Sequence, residues 1–402
     1  MLKKILFDFI TLQDDVINGG MFYTQKIFYE IVNKDVEIYG LYDGNIPISE
    51  RIRTILNMHK IALIDIRDRN VYETINNMQI DTFFIGIAQR YNSFDLCDLK
   101  CKIVIVCHDL FDMSLEYFKI LQSDPLKTFT KKYLIRKRQK RNKIKLILMF
   151  LLYPLVLLRR YIRQKKEQKR TMHNYENLKK LIIQDNVFVV TDSEYSKYSI
   201  EYFLGTPKNK IKVFYAPFSN GKFEENAVTF NESLLKDKKY FLLISMDRST
   251  KNAILFIEQW EKVCLYTNYE YDCVLIGKIK VNMKNCIILE EVDSSELAYL
   301  YKNAFALVYP SFAEGFGYPP IEAAAYGTPS ICSNVTSIPE ICGDMPVYFS
   351  PFYQEDLFRA MIKMMENRDI YVEKAKQRFL EVIHRQKEDL EKLFDLILGE
   401  RI

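Results

Sequence analysis

Short runs of β-branched and aromatic residues alternate with longer stretches of helical periodicity, and this rhythm constrains the chain more than any other feature. The runs read as strands at Lys3–Ile10, Asp35–Leu41, Ile61–Ile66, Asp81–Ala88, Lys102–His108, Val187–Asp192 and Ile211–Tyr215. Further runs follow at Tyr240–Met246, Asp272–Gly277, Asn285–Glu290, Ala304–Tyr309, Ser330–Ser333 and Val347–Phe349. Helical patterns separate most of them, for example Thr250–Tyr266, Glu296–Lys302 and Glu355–Glu366. Nearly continuous apolar strands joined by helices imply parallel sheets covered on both faces. A chain of 402 residues exceeds one ordinary core, so the expected α/β architecture is two doubly wound, Rossmann-like domains facing each other across a cleft. The pattern breaks between Pro217 and Asn231, at Ser219-Asn220-Gly221 and Glu224-Glu225-Asn226. That break puts one domain at residues 1–218 and a second at 219–380. Val372–Leu398 is a long helical pattern, and residues 381–402 are expected to form a terminal helix able to cross back to the first domain.

Open parallel sheets bind ligands beyond the carboxyl ends of their strands, so strand-to-helix loops carry the most weight. The most informative one is YPSFAEGFGYPPIEAAAYGTPSI, Tyr309 to Ile331. An apolar strand ends in a loop with Gly315 and Gly317, Pro319 and Pro320 open a helix, and Gly327 closes it. Bare glycine backbone lets phosphate approach closely, and the free amides and dipole of a helix start favour negative charge. Glu314 and Glu322, with seven residues between them, can accept hydrogen bonds from hydroxyls at two ends of one ligand. The plainer alternative is an exposed loop acid (Glu314) and a dipole-favoured acid in a first helical turn (Glu322).

This stretch resembles the signature of the retaining GT-B glycosyltransferases of family 4, the glycosyl transferases group 1, in which two glutamates flank a Gly-Phe-Gly loop. Glu314, Gly315, Phe316, Gly317 and Glu322 match it position for position. The resemblance implies that Glu314 and the amides of Phe316 and Gly317 hold the donor sugar and its diphosphate, and that Glu322 holds the ribose. Asn18-Gly19-Gly20, between a strand and a helix, looks like the family's glycine loop facing the diphosphate, or is simply a turn. Cys107-His108-Asp109 closes an apolar strand, and by the same resemblance His108 contacts the donor sugar; a capped core histidine is the alternative. Thr191 to Ser196 resembles a serine motif whose physical basis is a helix N-cap, and Ser337-Ile338-Pro339-Glu340 resembles a turn behind the nucleotide. In Met246–Asn252 the family's Lys-Asn pair is present as Lys251-Asn252, the glycine slot holds Ser245, and the customary second basic residue is missing, with Arg248 as its substitute. For a retaining member the resemblance implies front-face displacement, with the leaving phosphate drawing the proton from the acceptor.

No Asp-x-Asp pair and no metal-spaced His/Cys cluster is present, so neither a metal nor another cofactor is expected beyond the nucleotide-sugar donor. The eight cysteines show no paired spacing and fit a reducing compartment. Asp8 interrupts the apolar start, Met1–Leu12, which therefore reads as a first core strand in a cytoplasmic protein.

The formal net charge of +5 conceals a segment, residues 127–170, with 17 Lys/Arg and one acid. Within it Leu146–Leu158 forms an apolar block of thirteen residues interrupted by Pro154, too short to span a bilayer, which needs about 20. A hairpin or bent helix dipping into an anionic leaflet fits this pattern, with a buried core helix or a nucleic-acid arm as the alternatives. An unbroken apolar block disfavours nucleic acid. The expectation is an enzyme peripheral to the inner face of the plasma membrane that moves a hexose-type residue from a UDP- or GDP-sugar to a lipid-linked glycan acceptor. A sugar-nucleotide epimerase or phosphorylase of the same fold, and a non-catalytic membrane scaffold, stand as alternatives.

Overall fold

The computed structural model describes residues 2–13, 19–91, 94–110, 169–207, 210–218 and 237–399, with isolated positions at 159–166 and 235. Most of the basic segment 127–170, Asn18, and the interruption at Ser219–Asn231 lie outside the described residues.

The first parallel sheet comprises β1 (Lys3–Asp8), β2 (Val36–Tyr42), β3 (Ala62–Asp65), β4 (Thr82–Ile85), β5 (Lys102–Val106), β6 (Val187–Thr191) and β7 (Ile211–Val213), in the order β3-β2-β1-β4-β5-β6-β7. Its helices are α1 (Gly19–Ile31), α2 (Glu50–His59), α3 (Val71–Asn77), α4 (169–182) and α5 (Glu194–Leu204). The second contains β8 (Lys239–Leu243), β9 (Tyr271–Ile276), β10 (Cys286–Leu289), β11 (Ala306–Tyr309), β12 (Ser330–Ser333) and β13 (Val347–Phe349), in the order β10-β9-β8-β11-β12-β13. With it go α6 (Ala253–Tyr266), α7 (Ser294–Asn303), α8 (Tyr318–Ala325), α9 (Ile338–Cys342) and α10 (Gln354–Leu398). Each expected strand forms, within three residues at either end.

Alternation of side chains explains why both faces are apolar. Ile5, Phe7, Val104 and Val106 pack with Ile27 and Phe28 of α1, while Leu6, Ile103 and Ile105 pack with Leu178 and Ile182 of α4 and Ile200 of α5. In the second sheet Leu242 and Leu307 face α8, and Phe241, Leu243 and Val308 face Trp260 of α6 and Met361 of α10. The residues by which the apolar runs overshoot the strands, Gly86, His108 and Asp192 among them, lie just past the sheet's carboxyl edge. Each sheet reverses strand order between its first and fourth strands, which opens a ligand-binding crevice at that edge.

Helix α10 merges two expected helices. Asn367 breaks it with non-helical angles (φ −129, ψ 22). Its first part packs on the second domain, and its last turns reach the first. There the Thr82 hydroxyl donates to the Ile397 carbonyl (2.8 Å), and Tyr215 N–H donates to the Asp389 carboxylate (3.0 Å). The domains also meet at α5. The Glu340 carboxylate, from the second domain, accepts the N–H groups of Glu194 (2.9 Å) and Tyr195 (3.0 Å). It thereby fills two of the donor positions that a helix start leaves open.

Candidate active site

The loop between β11 and α8 is tied down through its carbonyls. The Ser337 hydroxyl donates to Glu314 O (2.8 Å) and Phe316 O (3.1 Å), and the Ser193 hydroxyl, from the first domain, donates to Gly315 O (2.8 Å). The amides of Gly315, Phe316 and Gly317 have no protein acceptor among the described residues, although all three residues are buried. Buried N–H groups without partners are rare in folded proteins and mark a place for an acceptor. Gly317 is the N-cap of α8 at φ +96, a left-handed conformation suited to glycine, so the helix dipole points at the same spot.

Lys251 reaches this loop from the turn after β8. Its Nζ lies 2.6 Å from Glu314 Oε1 and donates to the Tyr309 hydroxyl at 2.8 Å, with only 8% of the side chain exposed. The Ser311 hydroxyl donates to the same Glu314 oxygen. Burial, and next the neighbouring Glu314 carboxylate, hold the Tyr309 phenol well above its ordinary pKa, so it stays neutral. On α8, past its first turn rather than in it, Glu322 accepts from the Tyr301 hydroxyl (2.8 Å) through one oxygen, and its other oxygen has no protein partner among the described residues. Burial raises its carboxyl pKa, partly offset by Tyr301 and then Lys251. A hydroxyl pair on a ligand would satisfy the open oxygen.

The first domain supplies the opposite wall. Gly19 lies against the Tyr318 ring, where an added methyl would sit 3.8 Å away; at Gly20 one would meet Ile87 at 2.7 Å and His108 Cδ2 at 3.3 Å. A methyl on Gly315 would come within 2.6 Å of the His108 backbone oxygen. Gly19, Gly20, His108, Gly315, Phe316 and Gly317 therefore converge, and Lys251, Glu314 and Glu322 line the second-domain side. Both His108 ring nitrogens lie within hydrogen-bond distance of protein partners, Asp192 and the Gly86 carbonyl. Arg248, at the N-cap of the short helical turn that carries Lys251, is exposed and makes no ion pair among the described residues. No group of residues that could hold a metal ion occurs among the described residues.

Residues 224–380 match the family model for glycosyl transferases group 1. The second domain belongs to that family. The chain is 33% identical over 190 residues to the O-antigen chain mannosyltransferase RfbU of Salmonella typhimurium, covering 44% of this chain and 50% of that one. It is 52% identical over 60 residues to O-antigen chain mannosyltransferase B of Escherichia coli, covering 15% and 16%. The chain thus spans about half the length of the first of these relatives and less of the second. Anabaena HepE, solved in complex with UDP-glucose, superposes with a TM-score of 0.63 at 12% identity, covering 98% of this chain and 99% of that one. The fold is GT-B.

Two residues of the turn after β8 adopt positive φ. Ser245, in the family's glycine slot, sits at φ +54, a left-handed conformation that a side chain disfavours. Asn252 also sits at φ +54, which asparagine tolerates better than most residues. Ser245→Gly should therefore raise unfolding free energy by about 1 kcal/mol in urea denaturation. An unchanged or lower midpoint contradicts the strain. Tyr301, Tyr309, Ser311 and Asp192 were not visible as site residues from the sequence. A strand-end polar residue after an apolar run was the one available signal, and it applied to Tyr309 and Asp192.

Proposed function

We propose that the protein transfers a mannosyl residue, with retention, from a UDP- or GDP-linked donor to a lipid-linked glycan acceptor during synthesis of a surface polysaccharide. The observation that carries this is the loop whose carbonyls are tied back and whose three amides lack protein acceptors, beside the Lys251–Glu314 pair. The amides of Phe316 and Gly317, with the start of α8, receive the diphosphate. Preorganised donors of this kind stabilise the charge that the leaving group gains in the transition state. Lys251 adds the positive charge, so no metal or other cofactor is required. Glu314 holds the sugar hydroxyls and Glu322 the ribose. The departing phosphate takes the acceptor proton on the same face of the sugar. The mannosyl preference rests on the relatives' activities.

Residues 127–170 place the enzyme on the inner face of the plasma membrane. No helix among the described residues is long and apolar enough to cross a membrane, and each cation near an anionic surface adds about 1 kcal/mol of attraction.

The test is release of nucleoside diphosphate from GDP-mannose, UDP-glucose and related donors, with and without membrane extract as acceptor source. Release that requires both one donor and the acceptor is the expected result. Epimerised sugar nucleotide without acceptor, or no turnover of any donor, contradicts it. Sedimentation with anionic vesicles reads the membrane component in the same preparations. Protein lacking 127–170 is expected in the supernatant, and pelleting equal to full-length protein contradicts that placement.

A further inference from the structure

Two short motifs to which the reaction assigns no chemistry, Ser193–Ser196 and Ser337–Glu340, meet from opposite domains around the loop between β11 and α8. The carbonyls of that loop decide where its amides point. A trans peptide is planar, so each N–H is directed opposite to the carbonyl of the residue before it. The Ser337 hydroxyl holds Glu314 O (2.8 Å) and Phe316 O (3.1 Å), and so aims the Gly315 and Gly317 amides from within the second domain. The middle carbonyl is held differently. Gly315 O accepts from the Ser193 hydroxyl (2.8 Å), and Ser193 is the N-cap of α5 in the first domain. A residue of the opposite domain therefore aims the Phe316 amide.

Glu340 fixes that helix in place. It lies three residues after Ser337, the N-cap of α9, so both side chains leave one short element. The Glu340 carboxylate accepts the first two N–H groups of α5, those of Glu194 (2.9 Å) and Tyr195 (3.0 Å), directly after Ser193. Hydrogen bonds to a charged acceptor are stronger than neutral ones, which makes this contact a firm joint. Arg378 of α10 holds α9 in turn, donating to the carbonyls of Glu340 (2.8 Å) and Ile341 (2.9 Å). On the first-domain side, Ser196 donates to the His108 carbonyl (2.9 Å), which lies against Gly315. Tyr215, just past β7, meets the Phe316 ring edge-on at 5.5 Å. We propose that Ser193 and Glu340 are positioning residues. Glu340 clasps α5 to the second domain, and Ser193 on that helix turns the Phe316 amide toward the diphosphate. The anion site is complete only while the domains are joined at α5.

This inference rests on the proposed receipt of a diphosphate by those amides, and the experiment separates the two. Binding of GDP and UDP to the full chain is measured by calorimetry for wild type, Ser193→Gly, Glu340→Gln and Glu340→Ala, with urea denaturation of each. Glycine caps a helix nearly as well as serine, so Ser193→Gly should unfold close to the wild-type midpoint. It should nevertheless bind about tenfold more weakly, the loss expected of one misaligned hydrogen bond to a charged group. Glu340→Ala should weaken binding about as much, and Glu340→Gln, which keeps one acceptor oxygen, about threefold. In wild type, bound nucleotide should slow hydrogen exchange at the Glu194 and Tyr195 amides, because coupling between two sites is reciprocal. A purely structural contact would leave binding and exchange independent. Wild-type affinity in Ser193→Gly, or exchange at those amides unmoved by bound nucleotide, overturns the proposal while the diphosphate reading stands. A wild type that binds neither nucleotide overturns both. Ser193→Gly and the wild-type exchange decide even where a Glu340 variant does not fold.

Discussion

Glu314→Gln is expected to lower transfer by about 10²- to 10³-fold while the protein stays folded, the scale seen when one preorganised group is removed from a charge-stabilising site. Glutamine preserves an oxygen acceptor for Lys251 and Ser311, but it removes the negative charge that fixes the lysine at 2.6 Å. Lys251→Ala is expected to be harsher on the fold. The two side chains are 8% and 15% exposed, and truncating one member of a buried pair strands the other charge, typically at a cost of about 3–5 kcal/mol. Urea denaturation and nucleoside diphosphate release on the same preparations separate the two outcomes. Glu314→Gln turnover within threefold of wild type would contradict the assignment of Glu314 to the reacting sugar. A Lys251→Ala denaturation midpoint equal to wild type would contradict the buried-pair description.

Gly315→Ala is expected to lower transfer by about 100-fold with the fold preserved. Gly315 does not have a positive φ, so the cost is one of space. The new methyl would lie 2.6 Å from the His108 carbonyl oxygen. Neither side can yield easily. The Ser196 hydroxyl donates to that carbonyl (2.9 Å), and Ser193 holds Gly315 O. The overlap is relieved by separating the domains, and a displacement on the order of 1 Å at a reacting centre costs about 100-fold. The same separation should loosen the Glu340 cap on α5, so hydrogen exchange at the Glu194 and Tyr195 amides should accelerate. Wild-type turnover and unchanged exchange would show that the close approach is not needed.

Much of the fold was legible because parallel strands buried on both faces are written as continuous apolar runs. Ser330–Ser333 and Val347–Phe349 form with the expected bounds. Other runs overshoot because apolar character continues past the last ladder hydrogen bond. Lys102–His108 ends as a strand at Val106; Cys107 stays in the core with its N–H on the Val190 carbonyl (2.9 Å), and the His108 backbone carbonyl lies against Gly315. The break between the expected helices Glu355–Glu366 and Val372–Leu398 falls at Asn367 as a kink in one helix, not as a separate loop.

The glycine loop and its two glutamates were legible because glycine, proline and acid spacing is local. Partnerships across the cleft were not. The Asp192–His108 bond depends on β5 and β6 lying side by side, with Val106 opposite Val190. Lys251–Glu314 spans 63 positions, and the Glu340 cap on α5 joins two domains. Only the packed tertiary structure creates these pairs. They also changed the site in a specific way. His108, at the end of an apolar run, is held at both ring nitrogens, by Asp192 from the neighbouring strand end and by the Gly86 carbonyl.

The most direct test of the central claim is a crystal structure with nucleoside diphosphate bound. The account predicts phosphate oxygens about 2.7–3.1 Å from the amides of Phe316 and Gly317, Lys251 Nζ in contact with the same group, and the ribose hydroxyls on Glu322. A diphosphate bound elsewhere, with those amides still lacking an acceptor, would contradict it.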